Sequence, residues 1–122
     1  MQLRRSVLYV PANKPRALEK SRTLPADCII HDLEDSIAPQ AKHQAREQLV
    51  SFLQQHDNAG QERVVRINHP GSGWAEDDIQ AIRDCGVDGI LLPKIRTAQD
   101  IHTCRELLGP ASETGPALWV MV

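Results

Sequence analysis

Five short apolar runs separated by stretches of helical periodicity constrain this chain more than any other feature. The runs occupy residues 6–10, 27–33, 63–68, 89–93 and 117–122 and are rich in Val, Ile and Leu. Runs this short, near-continuously apolar and bounded by turn signals, read as strands, with Cys28-Ile29-Ile30 buried. A strand reached only through an intervening helix returns parallel to the one before it, so the pattern predicts a parallel sheet covered by helices. In the first helix Asn13 is expected as the N-cap and Pro15 falls in the first turn, with the helix lasting to about Arg22. The second begins near Pro39, carries Ala38, Ala41, Ala45, Leu49 and Phe52 along one face, and ends before His56-Asp57-Asn58-Ala59-Gly60. The third spans 74–85, with Glu76, Asp77 and Asp78 in a first turn where the macrodipole favours them, a structural role. Thr97 and Asp100 form a capping box for the fourth, whose Ala98, Ile101, Arg105 and Leu108 share a face.

Two α/β architectures accommodate this order. One is an open, flavodoxin-like sheet of five strands, acting as a binding or signalling module. The other is the first five strands and four helices of a (β/α)8 TIM-type barrel, in which 1–122 is the amino-terminal part of a single domain. In both, chemistry gathers at the carboxyl ends of the strands. Those ends read Pro11-Ala12-Asn13-Lys14, then Asp32-Leu33-Glu34-Asp35, then Arg66 and Asn68, then Pro93 and Lys94. Three carboxylates within four residues raise one another's pKa unless a cation or hydrogen-bond donors face them. The plainer alternative is a solvated acidic turn leading into the next helix. A phospho-receiver domain would place an acidic pair after the first strand, and a dinucleotide fold a glycine-rich loop there. This chain has neither.

A net charge of -2 and a pI near 6.2 give no electrostatic basis for binding nucleic acid or an anionic membrane. Cys28, Cys85 and Cys104 lack metal-ligand or redox-motif spacing and read as reduced thiols, which predicts a cytoplasmic protein. The basic start Met1-Gln2-Leu3-Arg4-Arg5 leads into an apolar run broken at Pro11, so neither a secretory nor a transmembrane segment is expected.

Several segments together carry a family resemblance. Tyr9-Val10-Pro11 with Lys14-Pro15 and Glu19-Lys20, the stretch Asp32-Leu33-Glu34-Asp35-Ser36-Ile37-Ala38-Pro39, Val65-Arg66-Ile67-Asn68 and Leu92-Pro93-Lys94 follow in order. Together they resemble the HpcH/HpaI aldolase and citrate lyase beta-subunit family, which includes citryl-CoA, malyl-CoA and citramalyl-CoA lyases. The resemblance implies a βα barrel in homotrimers or hexamers, and Mg2+- or Mn2+-assisted carbon–carbon cleavage of a short hydroxy-acyl-CoA to an acyl-CoA and a 2-oxo acid. It implies that Arg66 holds a substrate carboxylate or carbonyl oxygen, and that Tyr9, Lys14 and Lys20 line the coenzyme A site. Glu34 and Asp35 would hold the metal's bound waters, with the direct metal ligands expected after Val122.

The physical logic of such a set stands apart from the family. Carbon–carbon cleavage next to a thioester leaves an enolate, whose charge needs a cation already in place. A hard divalent ion supplies one, and an arginine's planar fork grips a carboxylate at two points. Alternatives stay open for individual residues. Arg66 is also readable as an ordinary ion-pair partner of Glu34 or Asp35, Lys94 as a Schiff-base lysine, and the whole as an aldolase that uses free 2-oxo acids without coenzyme A. His31 and His69 flank the charged ends, and His43, His56 and His102 are scattered without ligand spacing.

Overall fold

The computed structural model describes residues 4–109 and 115–121. Met1, Gln2, Leu3 and Val122, on which the expectation of no secretory segment and the end of the fifth strand partly rest, lie outside the described residues. The elements run β1 (Val7–Pro11), α1 (Pro15–Ser21), β2 (Cys28–Asp32), α2 (Lys42–Gln55), β3 (Glu62–Arg66), α3 (Ala75–Ile82), β4 (Gly89–Leu92), α4 (Ala98–Leu108) and β5 (Ala117–Val120), with short 3-10 turns at Pro39–Ala41 and Pro70–Ser72.

All five strands are parallel and lie in the order β1-β2-β3-β4-β5. Right-handed crossovers between sequential neighbours place every helix on the same face. Leu18 of α1, Leu49 and Phe52 of α2, Ile79 and Ile82 of α3 and Cys104 of α4 accordingly share one core with Val10, Ile29, Val65, Ile90 and Leu92 of the sheet. The opposite face carries its own cluster of Cys28, Ile30, Val64 and Leu91, packed by Trp119 and Met121. Sequential order with helices on one side is the arrangement of a βα barrel. A flavodoxin-like sheet would run 2-1-3-4-5 with helices on both sides, so the open-module alternative does not hold. Gly89 serves the inner face directly, since a Cβ there would stand 2.9 Å from Trp119 Nε1.

Several boundaries differ from expectation. Lys14, not Asn13, is the N-cap of α1 and makes no side-chain capping bond. Pro15 takes the first helical position and holds the residue before it out of the helical region, so the cap falls one residue later than the Asn side chain suggested. The second helix opens as a 3-10 turn at Pro39 and becomes α-helical only at Lys42. The third ends at Ile82, three residues short of Cys85. Thr97 caps α4 as expected, accepting from the Asp100 N–H at 3.4 Å, while the Asp100 carboxylate accepts from the Arg96 N–H at 3.2 Å. No helix among the described residues is long and apolar enough to cross a membrane.

Candidate active site

The register of the sheet brings two charges together at its carboxyl edge. Asp32 and Arg66 are the last residues of adjacent strands and are directly paired across β2 and β3. Arg66 Nε donates to Asp32 Oδ1 at 2.8 Å and Nη2 to Oδ2 at 2.7 Å, a two-point fork between largely buried side chains. The backbone N–H groups of Glu34 and Ser36 also donate to Asp32, each at 2.9 Å. Four donors therefore converge on one carboxylate. Burial alone would push its pKa up, but the bonds from Arg66, Ser36 and the Glu34 N–H outweigh burial and lower it to about 2. The same fork, against a smaller opposing effect of burial, raises the Arg66 pKa.

Arg66 keeps donor capacity on its far side. Nη1 has the thioether Met121 Sδ at 3.7 Å, a weak acceptor, and the Tyr9 ring lies 4.9 Å from the guanidinium carbon. A cleft of about 430 Å³ opens here, lined by Tyr9, Pro11, Asp32, Asp35, Ser36 and Arg66. Beside it Glu34 is nearly buried: its Oε1 lies 3.7 Å from Arg66 Nε and has no hydrogen-bond partner, while Oε2 is 3.1 Å from Lys94 Nζ. Lys94 also reaches Asp35 Oδ1 at 3.0 Å.

Arg66, Glu34 and Asp35 thus gather on one edge, as the sequence led us to expect. The expected structural partners of Arg66 were Glu34 or Asp35, whereas the fork belongs to Asp32. Asp35 pairs with Lys94 instead. Lys94 does not suit Schiff-base chemistry, because that needs a neutral amine. Its hydrogen bonds to Asp35 and then Glu34 raise its pKa, and the side chain is largely exposed. Its backbone adopts a left-handed φ of 48°, unusual for a residue with a Cβ.

The residues expected around coenzyme A divide. Tyr9 and Lys20 line a groove of about 310 Å³ between β1 and α1, together with Leu8, Ala17 and Leu24. Lys14 stands apart as the exposed cap residue of α1. His31 lies on the helix-covered face 5.9 Å from Phe52, where burial and then Arg63 push its pKa down to about 4. His69 turns to Asp100 at 3.4 Å. Neither histidine lines the cleft.

Behind the edge lies a polar network that the sequence reading missed. Lys42 Nζ donates to the carbonyls of Leu33 and Glu34 at 3.2 and 3.0 Å and to Asn68 Oδ1 at 2.6 Å. Asn68 in turn donates through Nδ2 to Asp78 Oδ2 at 2.7 Å, and Asp78 Oδ1 accepts from Arg46 Nε at 2.9 Å. Asp78 is structural, as expected, but as a buried ion-pair partner and not as an exposed acid of a helix turn. A polar residue one turn into an apolar helical face was the available signal.

Among the described residues no group of three or more His, Cys, Asp and Glu side chains is placed to hold a metal directly. Glu34 and Asp35 nevertheless offer hard oxygen donors, and the unpartnered Glu34 Oε1 suits a hydrogen bond from a cation's bound water.

A sequential parallel sheet with its charges gathered at the carboxyl edge defines a site of the βα-barrel class. Within that class the chain belongs to the HpcH/HpaI aldolase/citrate lyase family, which it matches over residues 5–115. It is 40% identical over 118 residues to a (3S)-malyl-CoA thioesterase of Cereibacter sphaeroides, covering 97% of this chain and 40% of the relative. It is 36% identical to the mitochondrial citramalyl-CoA lyase of Homo sapiens, covering 81% of this chain and 30% of that protein. Among solved structures, CitE of Mycobacterium tuberculosis in complex with magnesium, acetoacetate and coenzyme A superposes with a TM-score of 0.71 at 28% identity, covering 94% of this chain and 38% of that one. The chain spans about two fifths or less of the length of these relatives.

Proposed function

We propose that this chain forms the amino-terminal part of a barrel whose carboxyl-edge site cleaves a short hydroxy-acyl-CoA of the citryl-, malyl- or citramalyl-CoA type into an acyl-CoA and a 2-oxo acid. The observation that carries this reading is the orientation of Arg66. Asp32 takes Nε and Nη2, leaving Nη1 with only the weak acceptor Met121 Sδ, on a guanidinium that lines the cleft with Asp35 and has Glu34 3.7 Å from its Nε. That corner suits one oxygen of a substrate carboxylate or carbonyl, held by a guanidinium that cannot swing.

Cleavage breaks the bond between the hydroxyl-bearing carbon and the carbon next to the thioester. The hydroxyl proton leaves, its oxygen becomes the carbonyl of the 2-oxo acid, and the electron pair of the broken bond passes to the acyl-CoA, which takes up a proton. Arg66 stabilises negative charge on the oxygen it holds, and Tyr9 covers one face of its guanidinium. Glu34 and Asp35 would hold the bound waters of Mg2+ or Mn2+, the direct ligands being supplied from beyond residue 122. When bound there, the ion would supply positive charge for the developing oxyanion and would help orient a 2-oxo acid. Tyr9 and Lys20 would border coenzyme A, with Lys14 as a more distant phosphate contact.

A second reading has one specific observation in its favour: the 40% identity to a malyl-CoA thioesterase. In that reading the same edge holds the acyl-CoA while water attacks the thioester carbonyl.

Calorimetry on the full-length protein tests the thioester part. Acetyl-CoA should bind, with affinity falling as salt rises, because contacts from an exposed lysine to phosphate are screened. Lys20→Glu should weaken binding roughly tenfold, on the order of 1.4 kcal/mol, while kcat changes much less. Turnover of a free hydroxy acid without heat from any acyl-CoA would instead favour the aldolase that works without coenzyme A.

A further inference from the structure

Lys42 is placed against the local preference of its helix. It is the first α-helical residue of α2, the first turn holds no acidic residue, and no side chain caps that end. A cation at a helix N-terminus opposes the macrodipole. The contacts of its ammonium supply the reason for a lysine here. Its three hydrogen bonds go to the Leu33 and Glu34 carbonyls and to Asn68 Oδ1, matching the three donors of an ammonium.

These acceptors belong to the segments that leave β2 and β3. Asp32 has already taken the N–H groups of Glu34 and Ser36. The backbone bearing Glu34 is therefore held through its N–H groups on one side and its carbonyls on the other. The ammonium is itself fixed, because Asn68 is tied to Asp78 through both its side chain and its backbone N–H, and Asp78 is tied to Arg46 on α2. Shifting Glu34 would break bonds at both ends of this chain.

We propose that Lys42 is a positioning residue. It sets the backbone of Glu34, and through it the placement of the carboxylate toward the cation and Arg66, without touching either. The inference rests on the role assigned to Glu34 under Proposed function.

The test is Lys42→Met in the full-length protein, read by Mn2+ titration and by steady-state kinetics. Mn2+ affinity should weaken about tenfold or more, and kcat should fall by a similar factor, while the KM for the acyl-CoA stays within about twofold. Val87→Ala, which loosens the core ahead of β4 at the opposite end of the sheet, should leave Mn2+ affinity unchanged, separating positioning from general destabilisation. Where Lys42→Met does not fold, Lys42→Gln carries the test, since its amide cannot bond three oxygens. Mn2+ affinity equal to the parent's in the folded variant would overturn the inference and leave Lys42 purely structural. A parent protein that binds no Mn2+ at all would remove the functional reading itself, and this inference with it.

Discussion

Asp32→Asn should lower stability by about 3–5 kcal/mol and abolish turnover, the largest combined effect expected of any single change at the edge. The carboxylate is nearly fully buried and serves two partners at once, the Arg66 fork and the N–H groups of Glu34 and Ser36. An amide removes the charge and turns a donor toward groups that are themselves donors, leaving the guanidinium with only the more distant Glu34 carboxylate, 3.7 Å from its Nε, as counter-charge. The pH dependence of the parent follows from the same bonds. A carboxyl whose folded pKa is depressed to about 2 binds fewer protons folded than unfolded between roughly pH 4 and pH 2. Its contribution is therefore fully present above the ordinary carboxylate pKa and is lost as pH falls through that window. Chemical denaturation at a series of pH values should show this loss in the parent and a flatter profile in Asp32→Asn. A variant within 1 kcal/mol of the parent at neutral pH would contradict the pairing.

Arg66→Lys should reduce kcat by roughly 10²- to 10³-fold while costing about 1–3 kcal/mol of stability. Lysine keeps the charge and can still meet one oxygen of Asp32, so the sheet edge survives. It cannot grip Asp32 at two points and still keep a third nitrogen with only a weak acceptor on a group that lines the cleft, as Arg66 does. Steady-state kinetics with thermal denaturation of the same preparation separate the two effects. A fall in kcat of less than tenfold alongside a clear loss of stability would make Arg66 a structural partner of Asp32 and nothing more.

Much of the scaffold was legible because burial writes itself into sequence. The runs around Ile29-Ile30, Val64-Val65 and Ile90-Leu91-Leu92 are apolar on both faces, and the structure buries every one of these residues. Arg66, Glu34 and Asp35 were recognisable as strand-end charges for the same reason. What the sequence does not display is register. Asp32 and Arg66 are 34 positions apart, and only the alignment of β2 with β3 makes them neighbours. The reading therefore named Glu34, which does stand 3.7 Å from Arg66 Nε, but missed Asp32 as the closer, two-point partner.

The same limit hid the network behind the edge. Lys42 and Arg46 stand one turn apart on α2, Asn68 follows β3 and Asp78 belongs to α3, so no single stretch of sequence displays the network. Asp78 follows two exposed acids in the first turn of α3 and shares their local signature, yet Arg46 and Asn68 bury it. Local preference also misplaced the cap of α1, where the geometry set by Pro15 overrode the chemistry of Asn13. For the network the deciding contacts were between elements, and periodicity reports only on one element at a time.

The central claim is that this edge serves carbon–carbon cleavage of an acyl-CoA, and product analysis tests it most directly. Full-length protein incubated with malyl-CoA or citramalyl-CoA and Mg2+ should release a 2-oxo acid and acetyl-CoA in equal amounts, with no free thiol, and should stop when the ion is chelated. Release of free coenzyme A with the hydroxy acid intact would contradict it and assign the site to thioester hydrolysis.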